Sequence, residues 1–236
     1  MIAFIDGDIL IHTIAHQVEE EVDWGDDMWT MHADLREAQQ RLDIDILEFK
    51  HAVGARSVRV ALSDTANFRK EVYPEYKANR RGQRKPLVFR PLREYVREVW
   101  RAKTKRGLEA DDLLGIWATE RDDGVIVSTD KDFRSVPCRV YNPRHPDLGV
   151  YEVTREAADH NHLVQTLSGD RADGYPGCPG IGEKRAEAIA EGGWQAVVEA
   201  YAKAGCDEGF ALTQARLAYI LRHGDYRRGK VRLWTP

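Results

Sequence analysis

Three short apolar runs in this chain are each followed within two residues by an acidic residue, and this repeated pattern is the strongest constraint on its fold. The runs occupy residues 2–5, 58–62 and 125–129, and the acids that follow them are Asp6, Asp64, Asp130 and Asp132. Apolar and β-branched runs of this length are typical of strands. Helical patterns separate them, which predicts an α/β fold with a mostly parallel central sheet flanked by helices. Because ligands bind outside the carboxyl ends of such strands, we expect these acids to face one crevice.

Three further acids lie within four residues, at the start of a predicted helix. They are Glu109, Asp111 and Asp112, and apolar residues recur at helical spacing after them. Carboxylates this close repel one another, and a helix N-terminus offsets only about 0.3–1 kcal/mol per acid. A multivalent cation would remove the repulsion, and oxygen ligands suit Mg²⁺ or Mn²⁺. A solvated acidic helix start is the alternative, but the converging strand-end acids favour a metal site.

The net charge is −4, yet positive charge is concentrated in one region, since residues 69–106 contain fourteen Lys or Arg residues and four Glu residues. Aromatic residues alternate with cations around Tyr76, Lys77 and Arg80, a pattern typical of base stacking combined with phosphate contact. Lys77 and Arg80 would share one face of a helix. A basic region beside a metal-neutralised crevice suits a polyanionic substrate, although part of it could be a solvated helix face. We expect residues 82–91 to form a mobile connection, and the region to act as a gate.

A second pair of acids precedes a glycine-rich turn. Asp170 and Asp173 are three residues apart, so both can point the same way across one helical turn. The sequence 180–182 (Gly-Ile-Gly) then opens a helix with Lys184 and Arg185 in its first turn, and such a nest of backbone amides suits a phosphate. A simple tight turn is the alternative, but the preceding acids favour phosphate binding.

Length and cysteine use restrict the class of protein. The 236 residues suffice for one substantial domain or a domain with an appendage, at roughly 100–200 residues per domain. Cys138, Cys178 and Cys206 are widely spaced without a CxxC pair, which argues against a disulfide framework or a zinc site. The chain starts directly with a strand, so we expect no signal peptide and a cytoplasmic location.

The remaining segments are predicted to be mainly helical. Residues 9–53 have a helical pattern with a charged interruption at 19–27, and helices are also expected at 92–103, from Thr154 to about Leu167, and at 194–222. Thr154 is the expected N-cap of its helix. A basic tail at 227–230 ends the pattern.

Together these motifs resemble the 5′-nuclease family, which includes flap endonucleases, bacteriophage 5′→3′ exonucleases and the 5′-nuclease domain of bacterial DNA polymerase I. The matching motifs are the strand-end acids, E-A-D-D, T-D-x-D, Y-K-x-N-R, and G-D-x-x-D followed by P-G-x-x-G-I-G. The resemblance covers nearly the whole chain, and the C-terminus looks most like the bacteriophage exonucleases. Two departures are Gly174, where relatives often have Asn, and a short arch at 69–106. Asp8 lies close to Asp6 but does not match a family ligand.

The resemblance implies a PIN-like nuclease core that binds two Mg²⁺ ions, or Mn²⁺ in their place. The implied metal ligands are Asp6, Asp64, Glu109, Asp111, Asp112, Asp130, Asp132, Asp170 and Asp173. Lys77 and Arg80 would stabilise the scissile phosphate, and Tyr76 would stack on the terminal base. The other implied DNA-binding residues are Arg81, Gly180, Gly182, Lys184 and Arg185. The Gly180–Gly182 turn, part of a helix-hairpin-helix element, would also hold K⁺.

The resemblance therefore implies a structure-specific 5′→3′ exodeoxyribonuclease with a two-metal mechanism. A flap endonuclease with the same chemistry, a PIN-like RNA endonuclease and an inactive DNA-structure-binding protein are the alternatives, and the short arch favours the exonuclease. Its partners would be duplex 5′ ends, flaps or RNA–DNA hybrids, with no membrane, and the protein would be a monomer in the host cytoplasm if phage-encoded. Residues 1–160 would form the nuclease core, and residues 161–236 the helix-hairpin-helix region with the C-terminal helices.

Overall fold

The computed structural model describes all residues from Met1 to Pro236. In chain order its strands and helices are β1 (Ile2–Asp6), α1 (Gly7–Gln17), β2 (Glu19–Asp23), β3 (Trp29–Ala33), α2 (Leu35–Ala52), β4 (Ser57–Ala61), α3 (Arg69–Val72), α4 (Phe89–Glu98), α5 (Ala110–Glu120), β5 (Gly124–Val127), β6 (Arg139–Tyr141), β7 (Val150–Glu152), α6 (Arg155–Ser168), α7 (Glu183–Ala190), α8 (Gly193–Lys203), α9 (Glu208–Ala218), β8 (Tyr226–Arg227) and β9 (Lys230–Val231). Short 3₁₀ turns lie at Ala78–Arg80, Lys131–Ser135 and Pro146–Leu148.

A five-stranded sheet in the order β4-β1-β5-β6-β7 forms the centre of the fold. The strands β4, β1, β5 and β6 are parallel, and β7 runs antiparallel to β6. The prediction of an α/β fold with a mostly parallel sheet is therefore confirmed. Asp6 ends β1, and the chain reaches Asp64 and Asp130 just after the two strands that flank it. Three of the predicted acids thus follow adjacent strands at one edge of the sheet.

Helices cover both faces of this sheet, as a parallel sheet requires. Because successive residues of a strand point to opposite faces, Ala3 and Ile5 pack with helices α1, α2 and α4. Phe4, between them in sequence, packs with helix α5 on the other face. Both groups of side chains are almost fully buried. The carboxyl ends of the strands, where the acids lie, are consequently held between two packed layers of helices.

Helix α6 begins and ends where its sequence predicts. Thr154 is its N-cap, and the Thr154 hydroxyl accepts a hydrogen bond from the amide of Ala157 at 3.2 Å. The helix ends at Ser168, and its C-cap Gly169 has a φ of +68°, which is readily adopted only by a residue without a side chain. This left-handed glycine turns the chain toward the second acidic motif.

Several predicted helices differ from the observed elements. The charged interruption at 19–27 is part of an antiparallel β2–β3 hairpin, in which Glu19 pairs with Ala33, and the turn uses Gly25 at a φ of +81°. Helix α4 ends at Glu98, and Lys103 instead pairs with Ala61 of the edge strand β4. The predicted helix at 194–222 is divided into α8 and α9, and the basic tail forms the β8–β9 hairpin. Glycines with a left-handed φ lie at three of these interruptions, Gly25, Gly205 and Gly229, whereas the chain after α4 passes through Arg101 at a φ of +52°.

The C-terminal helices have their own hydrophobic cluster, which includes Val164, Leu167, Val197 and Tyr201. Ala158, six residues before Val164 in α6, packs instead with the sheet. The predicted boundary between residues 160 and 161 therefore falls inside one continuous helix that contributes to both clusters, and the division into two domains stays a prediction. None of the helices is both long enough and apolar enough to cross a membrane.

Candidate metal centre

Asp6 lies at the carboxyl end of β1, almost completely buried. One carboxylate oxygen accepts from the amide of Ile9 at 3.1 Å, and the other accepts from the Ser128 hydroxyl at 3.1 Å. Burial and the negative charges of Asp8 and Asp130 raise the pKa of Asp6 to about 7. These neutral hydrogen bonds orient the carboxylate but do not balance its charge.

Asp130 and Asp132 lie in the turn that follows β5. The Asp130 carboxylate accepts from the amide of Asp132 at 2.9 Å and so fixes the turn. Burial raises the pKa of Asp130, and Asp173 and Asp170 add to the effect. Burial, Asp130 and Asp170 raise the pKa of Asp132 to about 7. The two acids therefore lie in the same negative field as Asp6.

Asp111, in the first turn of α5, completes a group of four acids. Burial raises the pKa of Asp111, and the charges of Asp6, Asp130 and Glu109 raise it further, whereas Lys77 lowers it. No Lys, Arg or His forms an ion pair with Asp6, Asp111, Asp130 or Asp132. The structure thus brings together four carboxylates with no cationic side chain of the protein bonded to them.

This donor set fits a divalent cation by its chemistry. All four groups offer carboxylate oxygens, which Mg²⁺ and Mn²⁺ prefer, and a bound cation would relieve the repulsion that raises their pKa values. As the side chains are positioned, no three acidic, His or Cys groups form a finished coordination site. The fit therefore rests on oxygen chemistry and charge rather than on ligand distances.

Glu109 and Asp173 form a second acidic group, which is paired with cations. The Lys77 ammonium lies 2.5 Å from Glu109 Oε1 and 3.4 Å from Asp173 Oδ2. The Arg80 guanidinium lies 2.6 Å from Asp173 Oδ1. Burial acts against ionisation of Glu109, but Lys77 and Arg69 outweigh it and lower the pKa of Glu109 to about 2. The two predicted catalytic cations are therefore brought to the predicted acids, although by a different local structure from the one expected.

Lys77 and Arg80 do not lie on one face of a helix. Lys77 has a left-handed φ of +55° and precedes the 3₁₀ turn at Ala78–Arg80. The backbone amide of Lys77 donates to the Asp173 carbonyl at 2.7 Å, and the Asn79 amide group donates to the carbonyls of residues 171 and 172. Long-range hydrogen bonds thus fix this segment on the second acidic turn.

The prediction that Tyr76 stacks on a DNA base is wrong. The Tyr76 side chain is only 2% exposed. Its hydroxyl lies 2.7 Å from Asp173 Oδ2 and 3.0 Å from Glu109 Oε2, and its ring stacks near Tyr175. Tyr76 therefore links two predicted metal ligands from below the surface.

The pair Asp170 and Asp173 lies in a turn and not on a helix. Asp170 Oδ1 accepts from the amides of Ala172 and Asp173, at 2.7 and 3.1 Å, and Asp170 pairs with Tyr175 through the backbone. Gly174 closes this turn at a φ of +76°. Asn is among the few other residues that adopt this conformation readily, so Gly at this position preserves the turn.

Asp112 is misassigned by the sequence as a metal ligand. It is fully buried, and Arg69 binds both of its oxygens at 2.8 Å. The Asp112 carboxylate also accepts from the amides of Glu109 and Leu221, each at 3.2 Å. Consecutive helical residues point in different directions, so Asp111 faces the acidic group while Asp112 faces the interior. Asp112 anchors the start of α5.

Asp64 lies at the rim of the acidic group. Asp64 Oδ2 accepts from the amide of Gly107 at 2.8 Å, and this hydrogen bond lowers the pKa of Asp64, with further contributions from the Thr65 and Ala66 amides. Asp64 is not among the main causes of the raised pKa values of the four central aspartates. Its role as a metal ligand stays a prediction.

Asp8 is a site residue that sequence reasoning underrated. Its charge is the strongest carboxylate contribution to the raised pKa of Asp6. Asp8 itself pairs with Arg93 of α4 and accepts from the amide of Ser63 at 2.7 Å. The only sequence signal was its spacing of two residues from Asp6, which does not reveal the distant Arg93.

The predicted phosphate-binding turn is open to solvent. Gly180 has a φ of +76° and Gly182 is the N-cap of α7, and no atom lies within 4 Å of the position that a Cβ would take at either glycine. The Arg185 guanidinium donates to the Gly180 carbonyl at 3.0 Å, and Lys184 is exposed. A cavity of about 730 Å³ joins this turn to Asp132 and Asp170. Arg81 is also exposed and forms no ion pair.

Comparisons with known proteins agree with this arrangement. Residues 2–158 match the model of the family described as 5′-3′ exonuclease, N-terminal resolvase-like domain. The chain is 31% identical to an exodeoxyribonuclease of Enterobacteria phage T3 and 29% identical to an exonuclease of Escherichia phage T7. Each alignment covers 100% of this chain and 93% of the relative.

Solved structures share the fold. A bacteriophage T5 protein co-crystallised with metal ions superposes with a TM-score of 0.69 at 18% identity, covering 92% of this chain and 88% of that chain. The T5 flap endonuclease in a pseudo-enzyme–product complex with DNA and metal ions gives a TM-score of 0.65 at 17% identity, with the same coverage. At these identities the likeness establishes the architecture.

Proposed function

The chain belongs to the 5′–3′ exonuclease family, and on that premise we propose that it is a structure-specific 5′→3′ exodeoxyribonuclease acting on DNA from 5′ ends. The phage relatives that it matches over its whole length are named exodeoxyribonuclease and exonuclease. The flap endonuclease alternative has the same chemistry and is supported by the fold shared with the T5 enzyme. A cleavage experiment separates the two.

The observation that carries this proposal is the group of four aspartates without a cationic partner, which adjacent strands and the start of α5 bring to one edge of the sheet. Asp6, Asp111, Asp130 and Asp132 would hold divalent metal, Mg²⁺ or Mn²⁺, and the predicted ligands Asp64, Glu109, Asp170 and Asp173 would complete two positions. When bound, such ions lower the pKa of water and stabilise charge on the attacking and leaving oxygens.

The cations of the protein have a separate task. The Lys77 side chain is 15% exposed and the Arg80 side chain 48% exposed, so a phosphate in the crevice can approach both. Positioned beside Glu109 and Asp173, they can stabilise the negative charge that develops on the scissile phosphate. Tyr76 positions those two acids through its hydroxyl and needs no contact with a base.

DNA binding is proposed to rest on backbone contacts. Arg81, Lys184 and Arg185 are exposed, and the Gly180–Gly182 turn offers open backbone against which a phosphate or a K⁺ ion could approach. Such contacts position DNA without reading its sequence. Specificity for a 5′ end would then come from the shape of the site.

The test is cleavage of 5′-labelled and 3′-labelled plain duplex, 5′-flap and single-stranded DNA, with Mg²⁺ and with EDTA. Mg²⁺-dependent trimming of plain duplex from the 5′ end supports the exonuclease, whereas products at the flap junction alone support the flap endonuclease. Asp130→Asn should abolish cleavage while retaining DNA binding in EDTA. Asp147→Asn, at an exposed acid in the 3₁₀ turn at 146–148, is the matched control. Undiminished cleavage by Asp130→Asn would refute the proposed site.

A further inference from the structure

Two cationic segments that are distant in sequence meet on the surface beside β4. Residues 101–106 contain four cations and no acid, and residues 226–232 of the C-terminal hairpin also contain four cations and no acid. The Tyr226 hydroxyl donates to the Arg106 carbonyl at 3.1 Å. Tyr226 and Val231 pack against the cluster that contains Phe68 and Leu108. We call the exposed cations of these two segments the basic patch: Arg101, Lys103, Lys105, Arg106, Arg227, Arg228, Lys230 and Arg232.

Most of this positive charge is not balanced within the protein. Of the eight cations, only Arg232 has an ion pair, with Asp225 at 2.6 Å. In contrast, six of the ten cations between residues 69 and 98 are paired with carboxylates. Unpaired like charges held together destabilise the folded state and produce a local field that attracts polyanions. Ion pairs inside the protein therefore balance much of the positive charge between residues 69 and 98, but they do not balance the positive charge of the basic patch.

The patch borders the acidic group on the side of β4. Lys103 pairs with Ala61 at the end of this edge strand, and Gly107, which follows the first segment, donates to Asp64 Oδ2 at 2.8 Å. The Gly180–Gly182 turn lies on the other side, beyond Asp132 and the strand β5, across the cavity. The patch and the turn therefore flank the predicted cleavage site on opposite sides.

We propose that the basic patch binds the phosphate backbone of DNA that continues past the cleavage site, on the side opposite the Gly180–Gly182 turn. This inference rests on the proposed function, since it requires a DNA substrate in the crevice. Exposed Lys and Arg side chains on a hairpin and a loop suit phosphate contacts, which fix orientation and carry no sequence information. The patch would hold the part of a nicked or gapped duplex that a blunt 5′ end lacks.

The experiment compares affinity for a nicked duplex and for a blunt duplex, measured by fluorescence anisotropy in EDTA. Arg227→Glu/Lys230→Glu reverses two charges that face each other across the hairpin, so like charges oppose each other before and after the change. We expect this variant to lose about tenfold more affinity for the nicked than for the blunt duplex. The loss of two phosphate contacts should also reduce the salt dependence, the slope of log K against log salt, by about 1.8.

Two further double variants make the outcome decisive. Lys103→Glu/Lys105→Glu, in the other segment, should reproduce the selective loss if the patch is one surface. Lys50→Glu/Arg56→Glu applies the same charge change at the opposite end of the strands, where neither residue forms an ion pair, and should leave the ratio of affinities as in the wild type. Thermal denaturation checks that each variant is folded.

Equal losses in patch and control variants, or a wild-type affinity ratio in both patch variants, would overturn the inference. These outcomes differ from a failure of the proposed function itself. If the wild-type protein neither binds nor cleaves any DNA, the proposed function fails. If the wild type cleaves DNA and the patch variants keep the wild-type preference, only the role of the patch fails.

Discussion

At the scale of single residues, Asp111 has opposite effects on stability and on the proposed reaction. Burial and neighbouring acids raise its pKa, so its ionised form is unfavourable in the folded protein. We predict that Asp111→Asn raises the free energy of unfolding by about 1–2 kcal/mol at pH 8 in EDTA, because it removes one repelling charge. The same change should reduce DNA cleavage with Mg²⁺ by at least about 10²-fold. Urea denaturation and a single-turnover assay measure the two effects.

The matched control for Asp111→Asn is Asp147→Asn, which removes an exposed carboxylate with no ion pair. It should change neither the free energy of unfolding nor cleavage beyond error. A destabilised Asp111→Asn protein, or one with full activity, would contradict the interpretation of the four aspartates as a cation site.

Lys77 offers a second prediction at this scale. Burial opposes protonation of Lys77, but Glu109 and Asp173 outweigh it and raise the pKa of Lys77, so the ammonium is charged at neutral pH. Lys77→Ala should lower the single-turnover rate by about 10²-fold, because a preorganised charge beside the phosphate is lost. The change in Kd for DNA should be much smaller. Exposed Arg81→Ala should do the reverse, and a loss of affinity without a loss of rate in Lys77→Ala would reduce Lys77 to a positioning contact.

The roles of single residues in the site could be predicted from the sequence only in part. Asp111 and Asp112 are adjacent and chemically identical, and sequence patterns assigned both to metal. The structure separates them because Arg69, 43 residues away in sequence, reaches only Asp112. Tyr76 was misassigned for the same reason, since burial against Asp173 depends on a contact across 97 residues. Local patterns identify the acids but not the long-range partner that decides the role of each one.

At the scale of elements, Arg69 joins three parts of the chain. All five N–H groups of its guanidinium are used, toward Asp112, Glu109 and the carbonyls of Leu217 and Tyr219. The side chain therefore ties α3 to the start of α5 and to the end of α9. Through Glu109 it also reaches the predicted catalytic cations. Arg69 is best described as a residue that positions the acidic helix.

We predict that Arg69→Met destabilises the protein by about 3–5 kcal/mol, because it leaves the charge of Asp112 buried and unpaired. Adding Asp112→Asn should recover about 1–2 kcal/mol of this loss, since the remaining charge is removed. Urea denaturation of the four proteins of this double-mutant cycle measures the coupling. Double-variant losses equal to the sum of the single-variant losses would show that the two residues act independently.

The same variants separate the two roles of the acidic motif. Asp112→Asn should keep the increase in Tm that Mg²⁺ produces, whereas Asp111→Asn should lose it. Loss of the Mg²⁺ effect in both variants would return Asp112 to the set of metal ligands.

Elements formed by local periodicity were predictable, and those set by turns were not. Strands β1, β4 and β5 follow from apolar runs, and helices α2 and α6 follow from helical spacing and, for α6, from its N-cap residue. The β2–β3 hairpin escaped prediction because its strands are acidic and mostly exposed, so they carry little apolar alternation. Its position depends instead on distant contacts such as the ion pair between Glu19 and Arg84 at 2.6 Å.

At the scale of the whole molecule, the group of four aspartates makes the free energy of unfolding depend on pH. Asp6 and Asp132 have a pKa of about 7 in the folded protein, raised from 3.8. A raised carboxyl pKa means that the folded state binds more protons, so the stabilisation is fully present below pH 3.8 and is lost as the pH rises through about 7. The central strands thus converge on a site whose ionised form opposes folding at neutral and higher pH.

A divalent cation should reverse this penalty, and the size of its effect should follow the ionisation of the acids. We predict that saturating Mg²⁺ raises Tm by several degrees at pH 8, equivalent to about 2.7 kcal/mol at 100 times Kd. At pH 5.5 the increase should be less than about half as large, because protons compete for the same carboxylates. Differential scanning calorimetry of the wild type, Asp130→Asn and the control Asp147→Asn tests this coupling. If Asp130→Asn kept the full Mg²⁺ effect, or the wild-type effect were equal at both pH values, the cation would bind away from the sheet edge and the stability penalty would need another cause.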